Sequence, residues 1–162
     1  MNARERSDGS SLIASNRKAR HDYAILDEVE AGIVLLGSEV KSARAGQVQL
    51  ADAYAHVVRG EMWLEGMHIA PYSFAHGVGS HEPVRPRKLL LHADQIRRLH
   101  ERMQRERLTL VPLEMRFRKG RVKVDLGLAK GRQKADRRQA IAKKESELEM
   151  RRAQGRGRKG TA

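Results

Sequence analysis

Cysteine is absent from the 162 residues, and its absence excludes several kinds of chemistry. The chain can form no disulfide, offers no thiolate nucleophile and cannot build a cysteine-based zinc site. The seven histidines remain as possible metal ligands, but they are scattered and form neither an H-E-x-x-H pattern nor a compact cluster. We therefore expect no metal and no cofactor, and a reducing environment such as the cytoplasm.

Long apolar runs are missing too. No segment approaches the roughly 18 consecutive apolar residues that a membrane span needs, and the first eleven residues lack the apolar centre of a signal peptide. We expect a cytoplasmic protein that does not insert into a membrane.

Aromatic residues make up only 4% of the chain, with three Tyr, two Phe and one Trp. Proteins that read single-stranded RNA generally stack bases on exposed rings, and the RNP-type aromatic signature is absent here. Binding of a folded RNA through phosphates, 2′-hydroxyls and shape remains open. The simpler alternative is that basic surfaces only keep the domain soluble.

Catalytic motifs are also lacking. The nearest group of acids and bases is His21-Asp22 with Glu28 and Glu30, and no nucleophile motif or repeated carboxylate pair accompanies it. We expect that the protein is not an enzyme.

Positive charge is concentrated at the end of the chain, whose formal net charge is +13. Residues 130–162 contain 12 Lys or Arg and 4 Asp or Glu, whereas residues 22–129 contain 16 and 14. A basic extension indicates attraction to a polyanion, either nucleic acid or an anionic membrane. The missing apolar face of this extension argues against the membrane.

Composition divides the chain into three regions. Residues 1–15 are polar and predict a flexible N-terminal arm, residues 16–129 have the pattern of one folded domain, and residues 130–162 form a basic tail. Residues 132–154 contain no Gly or Pro, so their helix propensity is high. Their apolar stripe is too thin to bury, so we expect the tail to be disordered until it meets a partner.

Short β-prone segments separated by turn residues run through the domain. They are Tyr23–Val29, Gly32–Leu36, Val48–Val58 and Met62–Ile69, with a hairpin turn at Arg59-Gly60. Residues 38–46 predict one or two helical turns with Ser38 as N-cap and Gly46 as the terminating residue. Residues 71–86 predict a loop, and residues 93–105 an amphipathic helix.

The clearest hairpin follows that helix. Leu113, Met115 and Phe117 alternate with charged residues, Lys119-Gly120 turns the chain, and a second alternation follows, with Pro112 marking an edge or a bulge. The polar side of the hairpin predicts a basic face, tempered by two carboxylates: Arg116, Arg118, Arg121 and Lys123, with Glu114 and Asp125. About six strands with few helices predict a mainly β, OB-fold-like antiparallel barrel, and a two-layer α+β sandwich is the alternative.

Six motifs occur in an order and spacing that resemble the bacterial SsrA-binding protein family, also called small protein B. They are Asn16-Arg17-Lys18-Ala19-Arg20-His21-Asp22-Tyr23, Glu30-Ala31-Gly32, Gly37-Ser38-Glu39-Val40-Lys41-Ser42, Arg87-Lys88-Leu89-Leu90-Leu91-His92, Leu108-Thr109-Leu110-Val111-Pro112-Leu113, and Leu128-Ala129-Lys130-Gly131 with Asp136-Arg137-Arg138. The resemblance runs from about Leu12 to Arg138.

The resemblance implies an OB-fold barrel that binds the tRNA-like domain of transfer-messenger RNA. It implies delivery of that RNA, with elongation factor Tu, to stalled ribosomes for trans-translation, while the tail becomes helical in the empty mRNA channel beyond the decoding site of the small subunit. We expect a monomer. The RNA-facing positions implied are Asn16, Arg17, His21, Glu30, Lys41, Arg44, Leu90 and Lys123. The ribosome-facing positions of the tail are Lys130, Gly131, Arg132, Asp136, Arg137 and Arg138.

The tail departs from the family pattern at two places. Ala135 stands where many members have His or an aromatic residue, and Gln154-Gly155 replace a bulky apolar pair. Basic contacts by the tail are therefore a safer expectation than stacking in the decoding site. The alternative function is a ribosome-associated or assembly RNA-binding protein with no delivery role.

Overall fold

The structure is a computed structural model that describes residues 9–72, 81–131 and 145–152. It comprises two units, Met1–Lys130 and Gly131–Ala162. The strands of the described residues are β1 (Ser10–Ser15), β2 (Tyr23–Ile33), β3 (Val48–Gln49), β4 (Tyr54–Val58), β5 (Glu61–Glu65), β6 (His68–Ile69), β7 (Arg87–Leu90), β8 (Thr109–Arg118) and β9 (Arg121–Gly131). Their helices are α1 (Arg17–Asp22), α2 (Gly37–Arg44) and α3 (Ala93–Glu106).

The first unit is an antiparallel barrel. Its large sheet has the order β1-β8-β4-β5-β7-β2-β9, and an additional pairing of β8 with β9 closes it. The short strands β3 and β6 form a separate two-stranded sheet. The prediction of a mainly β, OB-like barrel is therefore confirmed, and the α+β sandwich is not formed.

The barrel interior holds most of the buried apolar side chains. Met62, Leu64, Leu110, Met115 and Leu126 are each 0% exposed. Burying one such side chain contributes roughly 1.5–3 kcal/mol to the stability of the fold. Because successive strand residues face opposite sides, burying these side chains also fixes which residues of each strand face the solvent.

A smaller apolar cluster lies outside the barrel, under helix α1. Ala19 of α1 packs with Val111 and Leu113 of β8 and with Ala129 of β9. Strand β8 is therefore buried on both faces over this stretch, which the simple alternation of its sequence did not predict.

The structure differs from the sequence prediction at the start of the chain. Residues 10–15, assigned to the flexible arm, form strand β1, which pairs antiparallel with β8 from Ser10↔Arg118 to Ser15↔Glu114. Ser10 and Ile13 are buried. This short, serine-rich segment becomes a strand because β8 has backbone groups with which it can pair. Residues 1–8 of the predicted arm lie outside the described residues.

The predicted hairpin turns are confirmed. Strands β4 and β5 meet at Arg59-Gly60, with Val58 opposite Glu61, and β8 and β9 meet at Lys119-Gly120, with Arg118 opposite Arg121. The pairing of β8 with β9 shifts register between Pro112 and Glu114, which confirms the bulge that Pro112 indicated.

Helix α2 confirms the predicted helical turns but begins differently. Its N-cap is Leu36, whose backbone N–H donates to Glu39 Oε1 at 2.8 Å. Ser38 is not the N-cap, because its hydroxyl instead lies 2.9 Å from His81 Nδ1. The strand predicted at Gly32–Leu36 is wrong beyond Ile33, where β2 ends.

Helix α3 agrees with its sequence pattern. Ile96 is buried, and Leu99 and Met103 pack against the barrel interior. In the second unit, residues 145–152 are α-helical, which agrees with the predicted helix propensity; the rest of that prediction lies outside the described residues.

Candidate RNA-binding cleft

An open cleft of about 370 Å³ brings together three of the residues singled out in the sequence. Glu30 comes from β2, Leu90 from the end of β7 and Lys123 from β9. Gly32, Leu91, His92 and Gln95 complete its lining. We call this the Glu30–Leu90–Lys123 cleft.

Strand register creates the cleft. Gly32 of β2 lies opposite Leu90 of β7, and a Cβ at position 32 would come within 3.2 Å of Leu90 Cβ. This distance is tight, so glycine lets the two strands approach while Leu90 stays at the surface, where it is 52% exposed. The cleft thus has an apolar contact point between two groups of opposite charge.

Lys123 is the cation that remains available in the cleft. Its ammonium group makes no hydrogen bond or ion pair with any of the described residues. Glu30, in contrast, accepts a 3.0 Å hydrogen bond from Arg118 Nη1, with both side chains partly exposed. Glu30 keeps further acceptor capacity, because a carboxylate has about four lone-pair sites. The cleft can therefore contact both a phosphate and a hydrogen-bond donor.

A second cleft of about 310 Å³ adjoins the first and shares Gly32, Leu90 and Lys123 with it. Its other lining residues are Ile33, Leu35, Val40, Gly120, Arg121 and Val122. Arg121 is exposed. Leu90 and Lys123 therefore lie between the two clefts. The second cleft has mainly apolar lining residues, with Arg121 and Lys123 as its cations.

Helix α2 presents Lys41 and Arg44 to solvent. The Lys41 ammonium lies 5.5 Å from the centre of the Tyr72 ring, and the Arg44 guanidinium lies 5.3 Å from that of Phe117. These cation–π contacts orient the two cations. Val40 of the same helix lines the second cleft, so α2 places both cations near that cleft.

Asn16 does not lie in this cleft, and its side chain is 97% buried. Its Oδ1 accepts from Ala19 N at 3.0 Å and caps α1, while its Nδ2 donates to Pro112 O at 2.8 Å and Leu50 O at 3.1 Å. Every polar group of this side chain has a partner within the protein. The geometry gives Asn16 a positioning role for α1, and the RNA contact that the resemblance implied for it stays a prediction.

Replacing Asn16 by Ala is expected to destabilise the barrel by about 2–3 kcal/mol, because a helix cap is lost and two buried carbonyls lose their donor. Arg17→Ala is the matched control. The adjacent Arg17 is exposed, so its loss should change the free energy of unfolding by less than about 0.5 kcal/mol. Chemical denaturation of both variants measures the difference, and an Asn16→Ala protein as stable as the parent would contradict the positioning role.

Helix α1 carries the other two residues of this group, Arg17 and His21, on its exposed side. His21 Nδ1 lies 3.1 Å from Asp22 Oδ1. A cleft of about 380 Å³ beside α1 is lined by neighbours of these residues, including Lys18 and Tyr54. No residue of α1 lines the Glu30–Leu90–Lys123 cleft.

The predicted basic face of the β8–β9 hairpin needs one correction. Arg116 is 6% exposed, and its guanidinium is held by Glu114 and by Asp125, the latter at 3.0 Å. Burial raises the pKa of Asp125, Arg116 lowers it and neighbouring carboxylates raise it again, so the pKa lies above its ordinary value. Arg116 is therefore neutralised within the fold, and Arg121 and Lys123 supply the available charge.

Lys130 and Gly131 end strand β9 and are exposed. Four other positions of the tail are expected to contact the ribosome and lie outside the described residues: Arg132, Asp136, Arg137 and Arg138. Ala135 and Gln154-Gly155, where the sequence departs from the family pattern, lie outside them as well.

Three residues near the cleft were not among the expected RNA-facing positions: Arg118 as a partner of Glu30, and His92 and Gln95 at the start of α3. The alternation of the hairpin places Arg118 on the side that carries Lys123, so this signal was present. His92 and Gln95 could not be found, because their position depends on how α3 leaves β7.

The part of the chain that the structure describes contains neither a membrane-spanning helix nor a group of side chains suited to a metal ion. None of its helices is long and apolar enough to cross a bilayer, and its His, Asp and Glu residues form no group of three that could hold a metal ion.

The architecture places the chain in the class of small antiparallel β-barrel proteins, and its cleft combines a mixed-charge lining with an exposed leucine and an available lysine, groups that suit contacts with RNA. Residues 13–156 match the SmpB protein family. The chain therefore belongs to the SmpB family, in agreement with the resemblance of its motifs.

Individual relatives support this assignment. An SsrA-binding protein of Saccharopolyspora erythraea is 51% identical over 152 residues, which cover 94% of this chain and 96% of the relative. That of Mycolicibacterium smegmatis is 50% identical over 161 residues, which cover 99% of each chain. A chain of the solved structure described as "tmRNA-SmpB: a journey to the center of the bacterial ribosome" is 48% identical, with a TM-score of 0.62 and coverage of 74% of this chain and 83% of that chain.

Proposed function

We propose that this protein binds the tRNA-like domain of transfer-messenger RNA and delivers it to stalled ribosomes for trans-translation. The family and the similarity to the tmRNA-SmpB ribosome structure support this function. The single observation that carries it at the level of residues is the convergence of Glu30, Leu90 and Lys123 from three strands on one cleft.

The chemistry of the cleft suits a folded RNA. Lys123 offers an unpaired ammonium group for a phosphate, and Leu90 offers an apolar surface for a ribose or the face of a base. A carboxylate repels phosphate, so Glu30 instead accepts from a base amino or imino group or from a 2′-hydroxyl. Because the cleft combines these three contacts, it selects a local RNA shape as well as negative charge.

The finer parts of the function are also proposals. The protein acts as a monomer without catalysis, in the cytoplasm, and together with elongation factor Tu. Its tail, through Lys130, Gly131, Arg132, Asp136, Arg137 and Arg138, contacts the decoding site and the empty mRNA channel of the small subunit. The basic excess of residues 130–162 supports an RNA surface as the partner of the tail.

Lys123→Ala is expected to lower the salt dependence of binding to the isolated tRNA-like RNA. Each phosphate contact contributes about 0.7–0.9 to the slope of log affinity against log salt, so this variant should lose nearly one unit of slope. Lys88→Ala is the control, because Lys88 is similarly exposed but already paired with Glu61 at 3.1 Å. A titration series in potassium chloride measures both, and an unchanged slope for Lys123→Ala would contradict its phosphate contact.

Glu30→Gln is expected to lower affinity without reducing the slope, because its contact is not with phosphate. The glutamine keeps the shape of the side chain but removes the negative charge that neutralises Arg118, so Arg118 can then attract phosphate and steepen the slope. Measuring Glu30→Gln in an Arg118→Ala background removes this second effect. If Glu30→Gln binds as tightly as the Arg118→Ala parent in that background, Glu30 serves only to hold Arg118.

A further inference from the structure

Arg116 and Lys123 lie directly opposite each other in the β8–β9 hairpin. Side chains at such positions share one face of the sheet, with Cβ atoms about 4.5–5.5 Å apart, and like charges there are destabilising. The two cations differ in their surroundings. Arg116 is buried between the carboxylates of Glu114 and Asp125, whereas Lys123 is half-buried and has no hydrogen bond or ion pair with a described residue. The hairpin thus holds a neutralised cation beside an available one.

Asp125 lies within reach of both cations. It is two residues from Lys123 on β9, so the two side chains are on the same face of the strand. It is also diagonal to Arg116, because its opposite residue is Glu114, and its Oδ2 lies 3.0 Å from Arg116 Nη2. Neighbours of both kinds are roughly 7 Å apart, a separation that long side chains can span. Asp125 can therefore pair with either cation, and in this structure Arg116 holds it.

Arginines also hold the other carboxylates around Asp125. Burial is the main cause of the raised pKa of Asp125, and the charges of three nearby carboxylates add to it, so the four acids form one group. A planar guanidinium with five donors can hold two carboxylates, whereas an ammonium is a point charge. The pairs are Arg20 with Glu28 at 3.5 Å, Arg118 with Glu30 at 3.0 Å, and Arg116 with both Glu114 and Asp125. Each acid of the group has an arginine, which leaves Lys123 available.

We propose that Arg116 is a positioning residue for RNA binding: it holds Asp125 away from Lys123 and so keeps the Lys123 ammonium available for a phosphate. This proposal rests on the proposed function, under which Lys123 contacts the RNA. Arg116 is only 6% exposed, so it acts through Lys123 and not by touching the RNA. When Arg116 is removed, Asp125 pairs with Lys123, and the cleft loses its available cation.

The test compares two full-length proteins that differ only at position 125. The double variant Arg116→Met/Glu114→Gln keeps Asp125 as a carboxylate without its arginine, and the triple variant adds Asp125→Asn. Affinity for the isolated tRNA-like RNA is titrated against potassium chloride at neutral pH. The double variant should lose about 0.7–0.9 of the slope of log affinity against log salt, the contribution of one phosphate contact. The triple variant should keep a slope close to that of the parent.

Lys123→Ala completes the comparison when it is added to each protein. It should leave the slope of the double variant unchanged, because Lys123 is already neutralised there by Asp125. In the triple variant it should lower the slope by about 0.7–0.9. A residue that only stabilised the fold would not make the effect of Lys123→Ala depend on Asp125.

A second measurement needs no RNA. Limited acetylation followed by mass spectrometry reports the reactivity of the Lys123 amine, with the exposed Lys130 as internal reference. An adjacent carboxylate favours the protonated amine, which does not react. Lys123 should therefore react at least about threefold more slowly in the double variant than in the triple variant, and the parent should resemble the triple variant.

Equal acetylation of Lys123 in the double and triple variants would overturn the proposal. Equal salt slopes of these two variants would overturn it as well, provided that Lys123→Ala lowers the slope of the parent. An unfolded double variant in circular dichroism would also contradict it, because Asp125 would then have found no replacement for Arg116. If Lys123→Ala leaves the slope of the parent unchanged, the phosphate contact of the proposed function fails instead, and acetylation alone decides whether Arg116 keeps Asp125 from Lys123.

Discussion

A chain that ends after Gly131 is expected to keep its barrel and its cleft but to lose nearly all tagging of stalled nascent chains. Strand β9 ends at Gly131, so a stop after this residue removes no described strand. The lost residues carry 11 Lys or Arg and 4 Asp or Glu. Affinity for the tRNA-like RNA should therefore fall only a fewfold, through lost long-range attraction.

The structure also corrects where the cut must be made. A stop at Lys130, where the composition predicted that the tail begins, would remove the last two residues of β9. Tagging in a reconstituted translation system measures the effect. Substituting Asp136, Arg137 and Arg138 by Ala in the full-length chain should reproduce most of the loss. A protein truncated after Gly131 that tags at the full-length rate would contradict the ribosome-reading role of the tail.

Arg87→Met is expected to destabilise the barrel by about 3–5 kcal/mol, because it removes the fully buried cation that pairs with the buried carboxylate of Glu39. Both side chains are 0% exposed. Arg87 Nε donates to Glu39 Oε2 at 2.5 Å, and its Nη1 donates to Met67 O at 2.7 Å. Arg85 reaches Glu39 as well, so this ion pair ties α2 to β7 and to the segment before it.

The exposed pair Lys88 and Glu61 provides the matched control, since Lys88→Met should cost less than about 1 kcal/mol. Urea denaturation of the two Met variants measures the contrast. Similar midpoints for the two variants would show that the buried pair contributes no more than a surface pair.

The same carboxylate predicts how stability depends on pH. Burial raises the pKa of Glu39, but hydrogen bonds from Arg85, Leu36 N and Arg87 outweigh burial, so the pKa lies below its ordinary value. A depressed pKa means that Glu39 contributes stability above the ordinary carboxyl pKa, about 4.3, and that this contribution is lost as pH falls through the lower folded-state pKa. In Glu39→Gln, the loss of stability below about pH 4.3 should be shallower than in the parent.

Local sequence signals predicted the hairpins and α3 because their causes are local. Lys119-Gly120 and Arg59-Gly60 set two-residue turns, and the apolar spacing of Ile96 and Met103 predicted the buried face of α3. These elements need no knowledge of the rest of the chain, so alternation and turn chemistry were sufficient.

The missed features depend on distant partners. Strand β1 exists because β8 pairs with it across about 100 residues of sequence, and its serines give no strand signal alone. Arg116 is buried because Glu114 and Asp125 both hold it, whereas alternation alone placed it on a solvent face.

The cleft itself was predictable only in part. The resemblance to the family identified Glu30, Leu90 and Lys123, but their meeting in one cleft follows from the pairing of β2 with β7 and of β8 with β9. Asn16 shows the converse. Its motif drew attention to it, but only the structure shows that its amide caps α1 and donates to the carbonyls of Leu50 and Pro112.

The central claim is that the Glu30–Leu90–Lys123 cleft binds the tRNA-like domain of transfer-messenger RNA, and co-purification tests it most directly. Full-length protein and the double variant Leu90→Ala/Lys123→Ala are each captured from a bacterial lysate, and the bound RNA is sequenced. Leu90 is exposed, and Lys123 is half-buried without a hydrogen bond or ion pair to a described residue, so both proteins should be folded. Transfer-messenger RNA should dominate the RNA bound to the parent and be depleted at least tenfold from the variant. Equal recovery of transfer-messenger RNA by both proteins, or ribosomal RNA alone with the parent, would contradict the claim.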